Sequence, residues 1–296
     1  METNIFAQQL KQSTGFRFFI YVMLLLVCTL IGSAVSVVMA AGNDIQMLKA
    51  AQGISSALMF IVPPIVLYLI TREKPMQAIG FRKARPTWAL LAGLALMFIS
   101  LPITNLLTQW NEGMDLGEAF AKVEALMKAM EDAAATLTER MLNVETFGGL
   151  MVNLLVIALI PAVGEELTFR GVVQQALTKG CKNAHVGIVL TAAIFSFIHF
   201  QFYGFFPRMF LGLILGYMFY ATGSLWTSIA MHFLNNGTAV VVYYLDHIRV
   251  IDADVDTFGA TGNAAVIALS IVATVAVVVL ALRSRKILST RAETIK

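Results

Sequence analysis

Long apolar runs with few charges constrain this chain more than any other feature of its sequence. A helix that crosses a membrane needs about 20 predominantly apolar residues, and the 296-residue chain offers eight such stretches. They cover residues 16–40, 52–71, 88–108, 147–177, 185–201, 205–221, 224–245 and 263–283. Only 13% of the residues are charged, against about 25% in an average soluble domain. The sequence therefore predicts an all-α, polytopic membrane helix bundle that forms a single membrane domain over residues 1–296.

The basic residues of the connecting segments predict the orientation. With eight spans, the strongly basic segments all fall on one side, and Lys and Arg are enriched in cytoplasmic loops. These residues are Lys11, Arg17, Arg72, Lys74, Arg82, Lys83, Arg85, Lys179, Lys182, Arg283, Arg285, Lys286 and Arg291. We therefore expect a multi-pass protein of the cell (inner) membrane with both termini in the cytoplasm. The basic residues form no aromatic-interleaved stripe, so the expected partner is the lipid bilayer and no nucleic acid.

Residues 114–142, between the third and fourth spans, have a different pattern. Apolar residues recur there at alternating spacings of four and three, which predicts one extra amphipathic helix. The stripe consists of Leu116, Phe120, Val123, Met127, Met130, Ala134, Leu137 and Met141. The helix is expected on the non-cytoplasmic side. Its role stays open between a surface helix, a lid and a docking site for a partner.

Ionisable residues inside the later spans are the strongest functional signal. Each costs at least about 2.5–3.5 kcal/mol at the bilayer centre, so such residues usually face a cavity or each other. Those in the second half of the chain are Glu165, Glu166, Arg170, His199 and His232, with Asn236 as an uncharged companion. Glu166 and Arg170 are four residues apart, which predicts an ion pair on one helix face. That pairing leaves Glu165 free to point into a pocket.

Spacing also predicts that these residues meet. Glu165 and His199 each lie 17 residues from Lys182 in the turn between two spans, so they stand at the same depth in an antiparallel hairpin. The depth of His232 is compatible with a shared site in the cytoplasmic half of the membrane. Phe195 lies four residues before His199 and is expected to pack beside the site.

A carboxylate and an imidazole can together hold and deprotonate a water molecule. His232 and Asn236 can then donate hydrogen bonds to the oxyanion that develops on an attacked carbonyl. In an alternative that stays open, Glu165, His199 and His232 bind a Zn²⁺ ion that activates the water. Both versions predict hydrolysis of an acyl bond without a covalent intermediate.

Three short motifs resemble those of a known family. "EELTFR" at Glu165 looks like an EExxxR motif, "FSFIH" at Phe195 like FxxxH, and "HFLNN" at His232 like HxxxN/D. This set, each on a predicted span, resembles the CAAX protease and bacteriocin-processing (CPBP, or Abi) family of intramembrane endopeptidases, which is related to the prenyl-protein protease Rce1. The resemblance covers residues 147–245, the expected catalytic core.

The resemblance implies an eight-helix membrane fold and an intramembrane protease, either a metallo- or a glutamate-endopeptidase. It implies that Glu165 and His199 activate water and that His232 and Asn236 form the oxyanion site, with Glu166, Arg170 and Phe195 in support. The expected substrate is a membrane-associated peptide or protein.

Two other functions stay open. The first is a catalytically silent membrane scaffold or bacteriocin-immunity protein of the same fold. The second is a transporter, which is disfavoured because no matching set of titratable motifs appears in the first three spans. Gly212 and Gly216 have the spacing of a close helix contact, from which no oligomeric state follows.

Overall fold

The computed structural model describes residues 13–42, 44–71, 75–253 and 257–294. Helices make up 83% of the structure, and the described residues contain no strand. The predicted all-α fold class is therefore confirmed. Among the basic residues used to predict the orientation, Lys11, Arg72, Lys74 and the side chain of Arg291 lie outside the described part.

The helices follow one another along the chain with short connections. Their bounds are α1 (Thr14–Ala40), α2 (Ile45–Phe60), α3 (Val62–Ile70), α4 (Pro75–Ile79), α5 (Trp88–Ile99), α6 (Leu101–Glu112), α7 (Ala121–Leu142), α8 (Phe147–Cys181), α9 (Ala184–Phe197), α10 (Phe205–Thr222), α11 (Leu225–His247) and α12 (Ala264–Thr294). Single 3₁₀ turns at Glu118–Phe120 and Phe202–Gly204 precede α7 and α10.

The number of spans is the point on which sequence and structure differ. Within the described residues, five helices are long and apolar enough to cross a membrane when α2 and α3 are counted as one helix, Ile45–Ile70. The number is six if the bent pair α5 and α6 also counts as one span. The 14-residue helix α9 is too short. Helix α11 is long enough but is not among the five, and it carries the polar residues His232, Asn235 and Asn236. The protein is therefore a multi-pass membrane protein, and eight spans stays a prediction.

Helix α8 occupies the centre of the bundle, where it packs against α2, α9 and α11. It is not a uniform α-helix, because Leu154–Leu159 and Phe169–Val173 are wound as π-helix. Such segments are rare and frequently occur at functional sites. The second segment begins three residues after Glu166. This π-helical turn therefore adjoins the adjacent carboxylates Glu165 and Glu166.

Small residues on α10 allow α8 side chains to reach its backbone. Arg170 donates from Nη2 to the carbonyl oxygen of Gly212 at 3.0 Å, and Gln174 donates from Nε2 to that of Gly216 at 3.0 Å. A Cβ atom on Gly212 would lie 3.1 Å from Cα of Ala192 on α9. The close helix contact predicted from the glycine spacing is thus present, and it holds α8, α9 and α10 together.

Helix α7 lies across the connection between α9 and α10. The backbone N–H of Tyr203 donates to Oε2 of Glu131 at 3.3 Å, and the Tyr203 hydroxyl lies 3.4 Å from Oε1 of Glu124. Beneath α7, a small gap of about 200 Å³ with apolar walls lies between Met127 and Met130 on one side and Phe197 and Phe205 on the other. The amphipathic helix therefore covers the end of the bundle at which α9 stops.

Candidate active site

A buried network of three charged or titratable side chains forms the base of the site. Arg170 donates from Nη1 to Oε1 of Glu166 at 2.6 Å, and both side chains are fully buried. The same carboxylate oxygen lies 2.9 Å from Nδ1 of His232 on α11. The network thus joins the predicted ion pair on α8 to a histidine 66 residues away.

This network determines which nitrogen of His232 carries a proton. Because Glu166 is ion-paired with Arg170, its carboxylate only accepts hydrogen bonds, so Nδ1 of His232 is the donor. In the neutral ring Nε2 then carries a lone pair. That nitrogen lies 3.8 Å from Oε2 of Glu165. His232 can therefore donate from Nε2 only when both ring nitrogens are protonated.

His199 lies just beyond the last residue of α9, where the predicted span would have continued to residue 201. Its Nδ1 is 2.7 Å from the carbonyl oxygen of Phe195. A carbonyl only accepts, so Nδ1 donates and Nε2 of the neutral ring is left as an acceptor. The Phe195 ring packs edge-on against both imidazoles, with centroids 5.1 Å from His199 and 6.0 Å from His232. The Phe195 side chain therefore contacts both histidine rings, as predicted for a residue that packs beside the site.

Glu165, His199, His232 and Asn236 all line one cavity of about 410 Å³, here called the polar cavity. Asn235 donates from Nδ2 to Oδ1 of Asn236 at 3.1 Å. This contact uses the oxygen of the Asn236 amide, and among the described residues its Nδ2 hydrogens have no acceptor. The structure thus brings all four predicted catalytic residues to one cavity.

A second cavity of about 730 Å³, here called the apolar cavity, reaches the site from another side. It lies between α1, α2 and the chain after α9, and its lining is mainly apolar, with Leu26, Val37 and Phe60 among hydroxyl side chains such as Ser33 and Ser55. Glu165 and His199 line this cavity as well as the polar one. The two residues therefore stand where an apolar compartment meets a polar one.

The polar cavity extends towards α7. Its wall on α6 is a polar stripe at four-residue spacing, made up of the N-cap residue Ser100 and of Thr104, Thr108 and Glu112. Glu131 of α7 also lines the cavity, and burial raises the pKa of its carboxyl above the ordinary value. The site is thus connected to the segment that is predicted to be non-cytoplasmic.

Arg208 is the residue of this cavity that sequence reasoning missed. It stands in the first turn of α10 and lines the polar cavity together with Glu165. The signal was present, because Arg208 falls inside the predicted span 205–221. An arginine so close to the end of a span looks like an interfacial residue, and only the folded chain places it beside the other site residues.

The predicted zinc ligands do not form a ligand set in this structure. Among the described residues, no group of three or more His, Cys, Asp and Glu side chains is arranged to hold a metal ion. The Nδ1 contacts of His232 and His199 do not themselves exclude an ion, because each ring keeps Nε2 as an acceptor, as metal-bound histidines usually do. Because the three side chains are not arranged as a ligand set, we derive no step through a metal, and the zinc alternative stays a prediction.

Comparison with known proteins agrees with the motif-based resemblance. The model of one protein family, described as type II CAAX prenyl endopeptidase Rce1-like, matches residues 147–238. Neither a curated protein nor a solved structure gives a match. The matched segment includes the buried network, both histidines and Asn236. The part of the chain that holds the site is therefore similar to the Rce1-like family of endopeptidases.

Proposed function

We propose that this protein is an intramembrane endopeptidase that hydrolyses a peptide bond of a membrane-associated peptide or protein. Glu165 and His199 would activate the attacking water, and Asn236 with His232 would stabilise the oxyanion. The family match supports a protease, while the roles of individual residues are our proposal.

One observation carries this proposal: Glu165 and His199 line both the polar and the apolar cavity. Hydrolysis within a membrane needs an apolar place for the substrate and a wet place for the nucleophile. A carboxylate at the junction of the two cavities can contact both the substrate and the water. The arrangement also explains why a costly charge is retained at this depth.

In the proposed reaction, the Glu165 carboxylate takes a proton from water while Nε2 of His199 accepts the other hydrogen of that water. The oxygen attacks the carbonyl carbon, and the oxyanion accepts hydrogen bonds from Nδ2 of Asn236 and, when the ring is doubly protonated, from Nε2 of His232. Collapse of the tetrahedral intermediate breaks the C–N bond, and Glu165 returns its proton to the leaving amine. Glu166 orients His232, and Arg170 neutralises Glu166.

The test compares cells that express wild-type protein with cells that express Glu165→Gln at the same level in the membrane. New N- and C-termini of membrane-associated peptides are catalogued by mass spectrometry. We expect specific products to vanish in the variant, because glutamine preserves the shape of the side chain but cannot accept the proton. Glu118→Gln, on an exposed turn outside both cavities, is the matched control and should leave the products unchanged.

Identical catalogues of peptide termini for wild type and Glu165→Gln would refute the proposed peptidase function. If deletion of the whole protein still caused a phenotype in that case, a non-catalytic scaffold or immunity protein would replace it. The purified variant should show the same thermal unfolding as wild type, which separates a chemical effect from a folding defect.

A further inference from the structure

The guanidinium of Arg208 lies in the polar cavity, where its two hydrogen-bond acceptors are neutral oxygens of one residue, Gln201. It donates from Nη1 to the backbone carbonyl oxygen of Gln201 at 3.3 Å and from Nη2 to Oε1 of the same residue at 2.9 Å. In the described part of the chain, no carboxylate oxygen lies within 4.0 Å of it. Glu131 and Glu165 act on its charge only from a greater distance.

The position of this guanidinium is built by its neighbours. Gln201, in the turn between α9 and α10, fixes two of its N–H groups through one backbone and one side-chain oxygen. Gly204 leaves the space that the group occupies, since a Cβ atom there would lie 2.8 Å from Nη2 of Arg208. The planar fork is therefore held in one place with several donors still unused.

An arginine in a membrane domain without a close counter-charge is expensive, and such residues mark binding sites by default. Its fork-shaped guanidinium matches the geometry of a carboxylate, which it can bind through two parallel hydrogen bonds. We propose that Arg208, held by Gln201, is a subsite that binds a carboxylate group of the substrate. The inference rests on the proposed function, because the bound peptide would share this cavity with Glu165.

The size of the cavity restricts the ligand. At about 410 Å³ it falls in the range of small-molecule sites, about 300–1,000 Å³, so it takes a short peptide segment. The carboxylate has two sources in such a segment, the C-terminal α-carboxylate and the side chain of an Asp or Glu. Both present the same group to Arg208, and the experiment distinguishes them.

The test measures binding without hydrolysis, in Glu165→Gln protein purified in detergent. The probes are three pools of fluorescent, N-acetylated apolar tetrapeptides. The first has free C-termini, the second has carboxamide C-termini, and the third has carboxamide C-termini and one internal glutamate. We expect the free-acid pool, the glutamate pool or both to bind at least about tenfold more tightly than the plain amide pool, as a charge-assisted hydrogen bond would give.

Arg208→Gln in the same protein should abolish this preference, and Arg283→Gln, an exposed arginine on α12, should leave it unchanged. If Arg208→Gln does not fold, Gly204→Ala serves instead, because the added Cβ displaces the guanidinium, and Arg208→Lys should retain part of the preference. Preference for the free-acid pool alone identifies the α-carboxylate, and preference for the glutamate pool alone identifies a side-chain carboxylate. Equal preference for both pools shows that the subsite binds either carboxylate.

Equal binding of all three pools, or a preference that survives Arg208→Gln, overturns the subsite. The failure of the proposed function has a different signature. In that case the carboxylate preference would persist, while the cellular peptide catalogues of wild type and Glu165→Gln would be identical.

Discussion

One carboxylate oxygen of Glu166 serves both Arg170 and His232, at 2.6 and 2.9 Å. A buried cation, a carboxylate and an imidazole are therefore linked through a single atom. The orientation of His232 in the cavity depends on an ion pair that does not itself line it.

The first prediction concerns the stability of this network. Glu166→Gln leaves the guanidinium of Arg170 buried without its counter-charge, so we expect a loss of about 3–5 kcal/mol in the free energy of unfolding. The double variant Glu166→Gln/Arg170→Gln should lose less than this single variant. Thermal and denaturant unfolding in detergent measure both. Equal losses for the single and double variants would contradict the predicted coupling.

The second prediction separates two adjacent amides. Asn236→Ala removes the oxyanion donor that does not depend on protonation, so kcat should fall about 10²–10³-fold, as for other single oxyanion donors. Asn235→Ala removes only the group that holds Oδ1 of Asn236, and the expected loss is at most about tenfold. Steady-state kinetics on a product-yielding peptide compare the two. A larger loss for Asn235→Ala would assign the donor role to the other amide.

The third prediction concerns the contact of α9 and α10. Gly212→Val places carbon atoms against Cα of Ala192 and disturbs the carbonyl that accepts from Arg170. Overpacking of this kind costs typically about 1–3 kcal/mol, which unfolding experiments can measure. Gly148→Ala is the control, because nothing lies within 4 Å of a Cβ atom there. Unchanged stability of Gly212→Val would show that the helices separate without cost.

The fourth prediction tests the orientation by thiol labelling. In a Cys28→Ser protein, the exposed Cys181 at the end of α8 should react with a membrane-impermeant maleimide only in inside-out vesicles. In a Cys28→Ser/Cys181→Ser protein, a cysteine in place of the exposed Lys122 on α7 should react only in right-side-out vesicles. Labelling of both positions from the same side would contradict the predicted orientation.

The fifth prediction concerns metal dependence. Since Glu165, His199 and His232 do not form a ligand set here, we expect cleavage by the purified protein to survive prolonged treatment with a chelator. Cleavage rates before and after dialysis provide the measurement. Loss of activity that added zinc restores, with no change in thermal unfolding, would favour the zinc alternative instead.

Several features were predictable because they are local or costly. Ionisable residues in apolar segments stand out in any sequence, so the sequence alone identifies Glu165, His199 and His232 as candidates. The pairing of Glu166 with Arg170 follows from a four-residue spacing on one helix. The amphipathic stripe of α7 and the helical fold class are equally local properties of the chain.

Other features depend on contacts between distant residues. No spacing rule joins Glu166 to His232, and none indicates that Gln201 and Gly204 hold the guanidinium of Arg208. The π-helical segments of α8 are also missed, because a single extra residue in one turn hardly alters an apolar pattern. The count of eight spans rests on a looser standard of length and apolarity. Helices α9 and α11 satisfy that standard but not a stricter one.

The shortness of α9 has a consequence for the surrounding lipid. Its 14 residues rise roughly 21 Å, well below the hydrocarbon thickness of about 30 Å. A short element is accommodated by local thinning of the bilayer or by other protein segments. Along the edge formed by α9, the lipid tails and α7 must together make up the missing length. We therefore expect the thickness of the host membrane to influence the position of the chain that carries His199.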